Sequence, residues 1–118
     1  MWISIKTEQQ IEDLLKESFD QPVVLFKHSN RCGTSMMAYD HLTENWEKEL
    51  LQSVPVYLNN VVEERELARY IAGKLGVIHQ SPQVFVIRDG KAVYHTSHYR
   101  INYKALKKEL IGKAGILE

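Results

Sequence analysis

The chain has one cysteine, Cys32, in the run Phe26-Lys27-His28-Ser29-Asn30-Arg31-Cys32-Gly33-Thr34-Ser35. That run follows a short apolar stretch, Val23 to Phe26, and precedes a long helical pattern. A thiol at a strand-to-helix turn has a defined electrostatic setting. The unpaired N–H groups of the helix's first turn point towards the sulfur, and the helix dipole favours negative charge at that end. Both effects favour thiolate over thiol, the form that attacks disulfides and electrophiles. Arg31 adds positive charge beside the sulfur, and Lys27 and His28 are near enough in sequence to contribute. A lone cysteine is ordinarily a small buried hydrophobe. One flanked by Arg31, Gly33, Thr34 and Ser35 at a helix start reads instead as a reactive thiol.

With 118 residues the chain has the length of a single domain, 1–118, able to bury roughly two-thirds of its unfolded surface. Fifteen basic residues balance fifteen acidic ones, which argues against nucleic acid or another polyanion as partner. No apolar run approaches the roughly 18 residues of a membrane span. The opening Met1-Trp2-Ile3-Ser4-Ile5-Lys6 lacks the basic segment and long apolar core of a secretory signal. One cysteine cannot close an internal disulfide, which suits a reducing cytoplasm. The five histidines, His28, His41, His79, His95 and His98, show no metal-ligand spacing with Cys32, so no metal site is expected.

The elements that position the thiol follow from the pattern. Trp2 to Ile5 reads as a strand, and Thr7-x-x-Gln10 as a capping box opening a helix from Glu8 to Ser18. Pro22 to Lys27 has the continuous apolar, β-branched character of a strand buried on both faces. Ala38, Leu42, Trp46 and Leu50 make a stripe that predicts a helix from Thr34 to Gln52, with Met36 and Met37 packing beside the thiol turn and His41 on the wet side. Val54 to Leu58 predicts a third strand, and Asn60 with Glu63 a capping box for a helix whose apolar face runs from Leu67 to Leu75 and which stops at Gly76. Gln83 to Arg88 and Lys91 to His95, joined by Asp89-Gly90, read as a β-hairpin. Asn102 caps a last helix carrying Leu106, Leu110 and Ile111, and Gly112 and Gly115 let the chain fray. Helix-connected strands followed by a hairpin predict an α/β protein with a mixed sheet of about five strands and about four flanking helices.

From Trp2 to Gly112 this pattern resembles the thioredoxin fold, with Cys32 at the active-site cysteine after the second strand and Pro82 at the fold's cis-proline. Within that fold, Phe26-Lys27-His28-Ser29, Ser81-Pro82-Gln83, Asp89-Gly90-Lys91 and His95-x-Ser97-His98 resemble the single-cysteine bacilliredoxins, the YtxJ-like family. The resemblance implies disulfide exchange with bacillithiol as low-molecular-weight cosubstrate, no bound cofactor, and S-bacillithiolated proteins as partners. Cys32 would be the attacking thiolate. Arg31, Gly33, Thr34 and Ser35 would support it, Thr34 and Ser35 by hydrogen bonds to the sulfur. Ser81 and Pro82 would present backbone to an extended substrate. Ser35 holds the place of a resolving cysteine, so a second bacillithiol would regenerate the enzyme. The departure is the tetrapeptide: the family pattern reads Cys-Pro-Ile-Ser, and this chain has Cys32-Gly33-Thr34-Ser35.

Two alternatives stay open at this level. Arg31-Cys32-Gly33-Thr34-Ser35 and Pro82-Gln83-Val84-Phe85 also resemble monothiol glutaredoxins, which carry a [2Fe–2S] cluster between two monomers with glutathione as co-ligand. Their Gly-Gly-x-Asp segment is missing, and His95-Thr96-Ser97-His98-Tyr99 stands there. The other alternative is a non-catalytic thioredoxin-fold interaction module in which Cys32 is incidental.

Overall fold

The computed structural model describes residues 1–112; the expected fraying at Gly115 lies outside them. Five strands form one mixed sheet: β1 (Ile3–Ser4), β2 (Val23–His28), β3 (Val56–Asn60), β4 (Gln83–Arg88) and β5 (Lys91–Ser97), in the spatial order β1-β3-β2-β4-β5. β3 runs parallel to both β1 and β2, whereas β4 is antiparallel to β2 and to β5. Four helices complete the fold: α1 (Glu8–Glu17), α2 (Gly33–Asn45), α3 (Arg65–Leu75) and α4 (Tyr103–Ile111), with a 3-10 turn at His98–Arg100 before the last. No helix among the described residues is long and apolar enough to cross a membrane.

Strand alternation divides the core. Val24 and Phe26 of β2 face one side, with Ala38 and Leu42 of α2 and Leu106 and Leu110 of α4. Val23 and Leu25 face the other, with Leu14 and Leu15 of α1 and Leu67 and Ile71 of α3. Every residue of β2 is buried, as expected for a strand covered on both faces. The alternation sends the last two residues of β2, Lys27 and His28, to opposite faces, and both are central to the site.

Local chemistry sets the boundaries. At α1 the Thr7 side chain accepts from the Gln10 N–H, and Gln10 Oε1 accepts from the Thr7 N–H. The Asp89-Gly90 turn has φ of 51° and 76°, the double left-handed geometry of a two-residue hairpin loop. α3 stops at Gly76, which takes φ 67°.

The long helix is shorter than its apolar stripe predicts. α2 ends at Asn45, and Trp46 turns to an extended conformation. The Glu47 N–H, which a continuing helix would bond to Thr43, instead donates to Tyr103 Oη at 3.3 Å. Trp46 stays buried, with ring centroids 6.1 Å from Trp2 and 5.7 Å from Tyr103. After one further turn the buried residue is Leu51, and Leu50 is exposed. Met36 and Met37 are also exposed rather than packed. His41 is half-buried, not on a wet face, because its Nε2 accepts the Tyr103 N–H at 3.0 Å at the start of α4. β3 lies two residues later than expected, and Asn60 caps the turn after β3 through the Val62 and Glu63 N–H groups, so that α3 begins only at Arg65.

Candidate functional site

The thiol loop runs from the end of β2 to the start of α2. Cys32 is the N-cap residue of α2, with extended φ and ψ of −114° and 123°. Its carbonyl accepts the first helical bond, from the Met36 N–H at 3.0 Å. The N–H groups of Gly33, Thr34 and Ser35 therefore stand in the first turn, where no intrahelical carbonyl is available to them. The thiol is partly exposed, and its sulfur makes no capping bond to the helix.

Ser29 organises the approach to Cys32. Its carbonyl accepts the Cys32 N–H at 3.3 Å, and its hydroxyl accepts the Arg31 N–H at 3.3 Å. Ser35 is fully buried, and the bonds of its hydroxyl go to Ser29 and His28 rather than to the expected sulfur. Ser35 Oγ accepts the Ser29 N–H at 2.9 Å and lies 2.7 Å from His28 Nδ1. The His28 ring is buried and stacked on Tyr39, centroids 5.0 Å apart. Burial holds His28 below the ordinary imidazole range, against the opposing pull of Asp40.

Arg31 and Gly33 are exposed and Thr34 is half-buried. Thr34 Oγ1 lies 3.5 Å from the hydroxyl of Tyr99, a largely exposed residue of the 3-10 turn. Between α2 and that turn lies an open groove of about 290 Å³, whose walls include Thr34, Met37, His41, His98, Tyr99 and Asn102. It has no acidic lining residue. His98 adopts φ 55° there, a left-handed conformation uncommon outside glycine but more frequent for histidine than for most residues.

A Cβ built on Gly33 meets nothing within 4 Å. Gly33 is also the first helical residue after an extended N-cap, a position and a preceding geometry that both suit proline. Gly33→Pro should therefore be accommodated and raise stability by about 0.5–1 kcal/mol, chiefly by restricting the unfolded chain. Thermal denaturation checks this, and a lowered melting temperature would contradict it.

Ser81 and Pro82 lie at the same end of the sheet as the thiol loop, because Gln83 of β4 pairs with Lys27 of β2. The Ser81–Pro82 peptide is cis, and the Pro82 carbonyl accepts the His98 N–H at 3.0 Å. The hydroxyl of Ser81 is buried without a hydrogen-bond partner among the described residues.

Behind this end of the sheet, on the face covered by α3, is a polar cluster that the sequence did not reveal. Lys27 is fully buried, with Nζ donating to the Ala68 carbonyl at 3.0 Å and 3.1 Å from His79 Nδ1. No carboxylate among the described residues pairs with it. Burial pushes its pKa down to about 8. Burial, then the Lys27 charge, holds His79 below its ordinary value. Asn59, directly opposite Lys27 in β3, is fully buried, and neither amide atom has a partner among the described residues. In the sequence Asn59 followed the expected strand and read as the start of a loop. Thus Lys27 and His79 meet each other, His28 meets the thiol loop from the opposite face, and His98 lines the groove.

A mixed five-stranded sheet with a cis-proline just before its fourth strand, and a cysteine at the N-cap position of the helix after the second strand, has the architecture of a thioredoxin-fold redox protein. Solved structures agree: the chain superposes with TM-score 0.74 and 33% identity on a candidate oxidoreductase with a thioredoxin fold, over 88% of each chain. It matches the thioredoxin of Trypanosoma brucei brucei with TM-score 0.71 at 18% identity, over 93% of this chain and 88% of the other. It matches mitochondrial thioredoxin 3 of Saccharomyces cerevisiae with TM-score 0.70 at 18% identity, over 92% of each. The sequence profile of the monothiol bacilliredoxins, BrxC, matches residues 3–106, and the chain belongs to that family. Its general role is accordingly that of a thiol-disulfide oxidoreductase.

Proposed function

We propose that the protein removes bacillithiol from protein mixed disulfides, in the cytoplasm, using Cys32 alone. The observation that carries this reading is the placement of the sole cysteine, partly exposed, at the N-cap of α2. Cys32 thiolate attacks the bacillithiol sulfur of the mixed disulfide. A new S–S bond forms to Cys32 as the old one breaks, and the client leaves as a thiolate that takes a proton from water. A second bacillithiol thiolate then attacks the bacillithiol sulfur on Cys32, releasing bacillithiol disulfide and restoring the enzyme thiolate. The net change is reduction of one protein mixed disulfide by one bacillithiol.

Each neighbouring residue has a part consistent with its position. The first-turn amides of Gly33, Thr34 and Ser35 are free of intrahelical acceptors beside Cys32, and exposed Arg31 supplies a cation that steers anionic substrates. The segment of Ser81 and the cis-proline offers backbone to an extended client segment. The groove beside Thr34 and His98 is concave, open and without acidic lining, which suits the polar body of a small thiol. Intact-mass spectrometry of a bacillithiolated protein mixed with this one tests the reading. The client should regain its free-thiol mass while Cys32 gains one bacillithiol; an unmodified Cys32 beside unchanged client would refute it.

A further inference from the structure

The serine in the resolving position is not an idle replacement. Ser35 is the third residue of α2, is fully buried, and closes the thiol loop into a ring by accepting the Ser29 N–H at 2.9 Å. Ser29 is the residue whose carbonyl and hydroxyl hold the Cys32 and Arg31 amides. Since Ser35 Oγ already accepts from Ser29, its single hydroxyl hydrogen is available to donate to His28 Nδ1, 2.7 Å away. The imidazole has little freedom of its own: it is buried at the end of β2, tilted against Phe26 at 5.5 Å and stacked on Tyr39 at 5.0 Å. The rigid sheet is therefore connected to the N-cap thiol by the continuous sequence His28, Ser35, Ser29, Cys32.

We infer that His28 is a positioning residue for Cys32, acting through the Ser35 hydroxyl to hold the thiol loop against the first turn of α2. His28 touches neither the sulfur nor the substrate in this role. It supplies a fixed acceptor at the end of β2. Without that acceptor the Ser35 hydroxyl is released, Ser29 loses its tie to the helix, and the sulfur drifts from its place at the first turn of α2. Small displacements of a reacting atom have large kinetic consequences. This inference rests on the reading of Cys32 as the reactive thiol but not on the identity of the exchanged thiol.

The test uses the full chain and iodoacetamide, a neutral probe that reads only the reactivity of Cys32. Asparagine at position 28 can place an amide atom near the site of Nδ1, whereas glutamine reaches towards the site of Nε2. A packing role alone would make the two substitutions alike. His28→Gln and Ser35→Ala should slow alkylation of the folded protein about tenfold, whereas His28→Asn should stay within about twofold of the parent. Melting temperatures measured alongside confirm that each variant is folded at the assay temperature. Alkylation of Ser35→Ala or His28→Gln at the parental rate overturns the inference, as does a His28→Asn rate as low as that of His28→Gln. Because the probe is not a disulfide, failure of bacillithiol exchange would leave this result intact, and the two claims fail separately.

Discussion

Lys27→Met should stabilise the protein by about 2–3 kcal/mol at neutral pH and raise the melting temperature by roughly 10 °C. Lys27 is fully buried, has no carboxylate partner among the described residues, and has a pKa pushed down from 10.5 to about 8. At about 1.4 kcal/mol for each tenfold loss of proton affinity, carrying this ammonium into the folded state costs about 3 kcal/mol. Methionine gives up the amine's bonds to the Ala68 carbonyl and to His79, which offsets part of the gain. Methionine has a similar shape and no charge to desolvate.

The pH dependence gives the sign a separate check. Below pH 8 Lys27 is charged in both folded and unfolded chains, and the whole cost applies. Between pH 8 and 10.5 the folded chain has lost the proton while the unfolded chain keeps it, so native stability rises with pH by about 1.4 kcal/mol per pH unit. The gap between Lys27→Met and the parent should therefore be flat below pH 8 and close between pH 8 and 10.5. Urea denaturation at a series of pH values measures it, and a gap constant across that window would contradict the burial cost.

Cys32→Ala should abolish thiol exchange, leaving only the rate of free bacillithiol with the same substrate, while changing stability by less than about 0.5 kcal/mol. The two halves have different causes. The chain has no second cysteine to take over the attack. The side chain is partly exposed and makes no capping bond, so little packing or hydrogen bonding is lost with the sulfur. Exchange kinetics and a melting curve on one preparation test both halves. A stability loss of several kcal/mol would mark Cys32 as a structural residue.

Most of the fold was legible because its turning points use strongly restricted chemistry. Thr7 with Gln10, Asp89-Gly90, Gly76 and Asn102 each satisfy a backbone requirement that few other residues meet, and each marks an observed boundary. The end of α2 was not legible because the apolar stripe is genuine up to Trp46 and continues in sequence to Leu50. What stops the helix is Tyr103, more than fifty residues away, taking the Glu47 amide. β3 was placed two residues early because Asn59 and Asn60 look like loop residues, yet they pair with Lys27 and His28. The position of Cys32 at a helix start was legible because it depends only on the local strand-to-helix turn. The buried Lys27–His79 contact and the His28–Ser35 bond depend on which face of β2 each residue occupies, and on elements that reach that face from elsewhere in the chain.

The proposed exchange is tested most directly by rate. A protein carrying a bacillithiol mixed disulfide is incubated with a bacillithiol-regenerating system, with and without this protein, and release of the client thiol is followed in both directions of exchange. Catalytic release should run well above that of free bacillithiol and depend on Cys32, with a Cys32–bacillithiol disulfide trapped when regeneration is withheld. Release no faster than with free bacillithiol in either direction, with no adduct on Cys32, would contradict it.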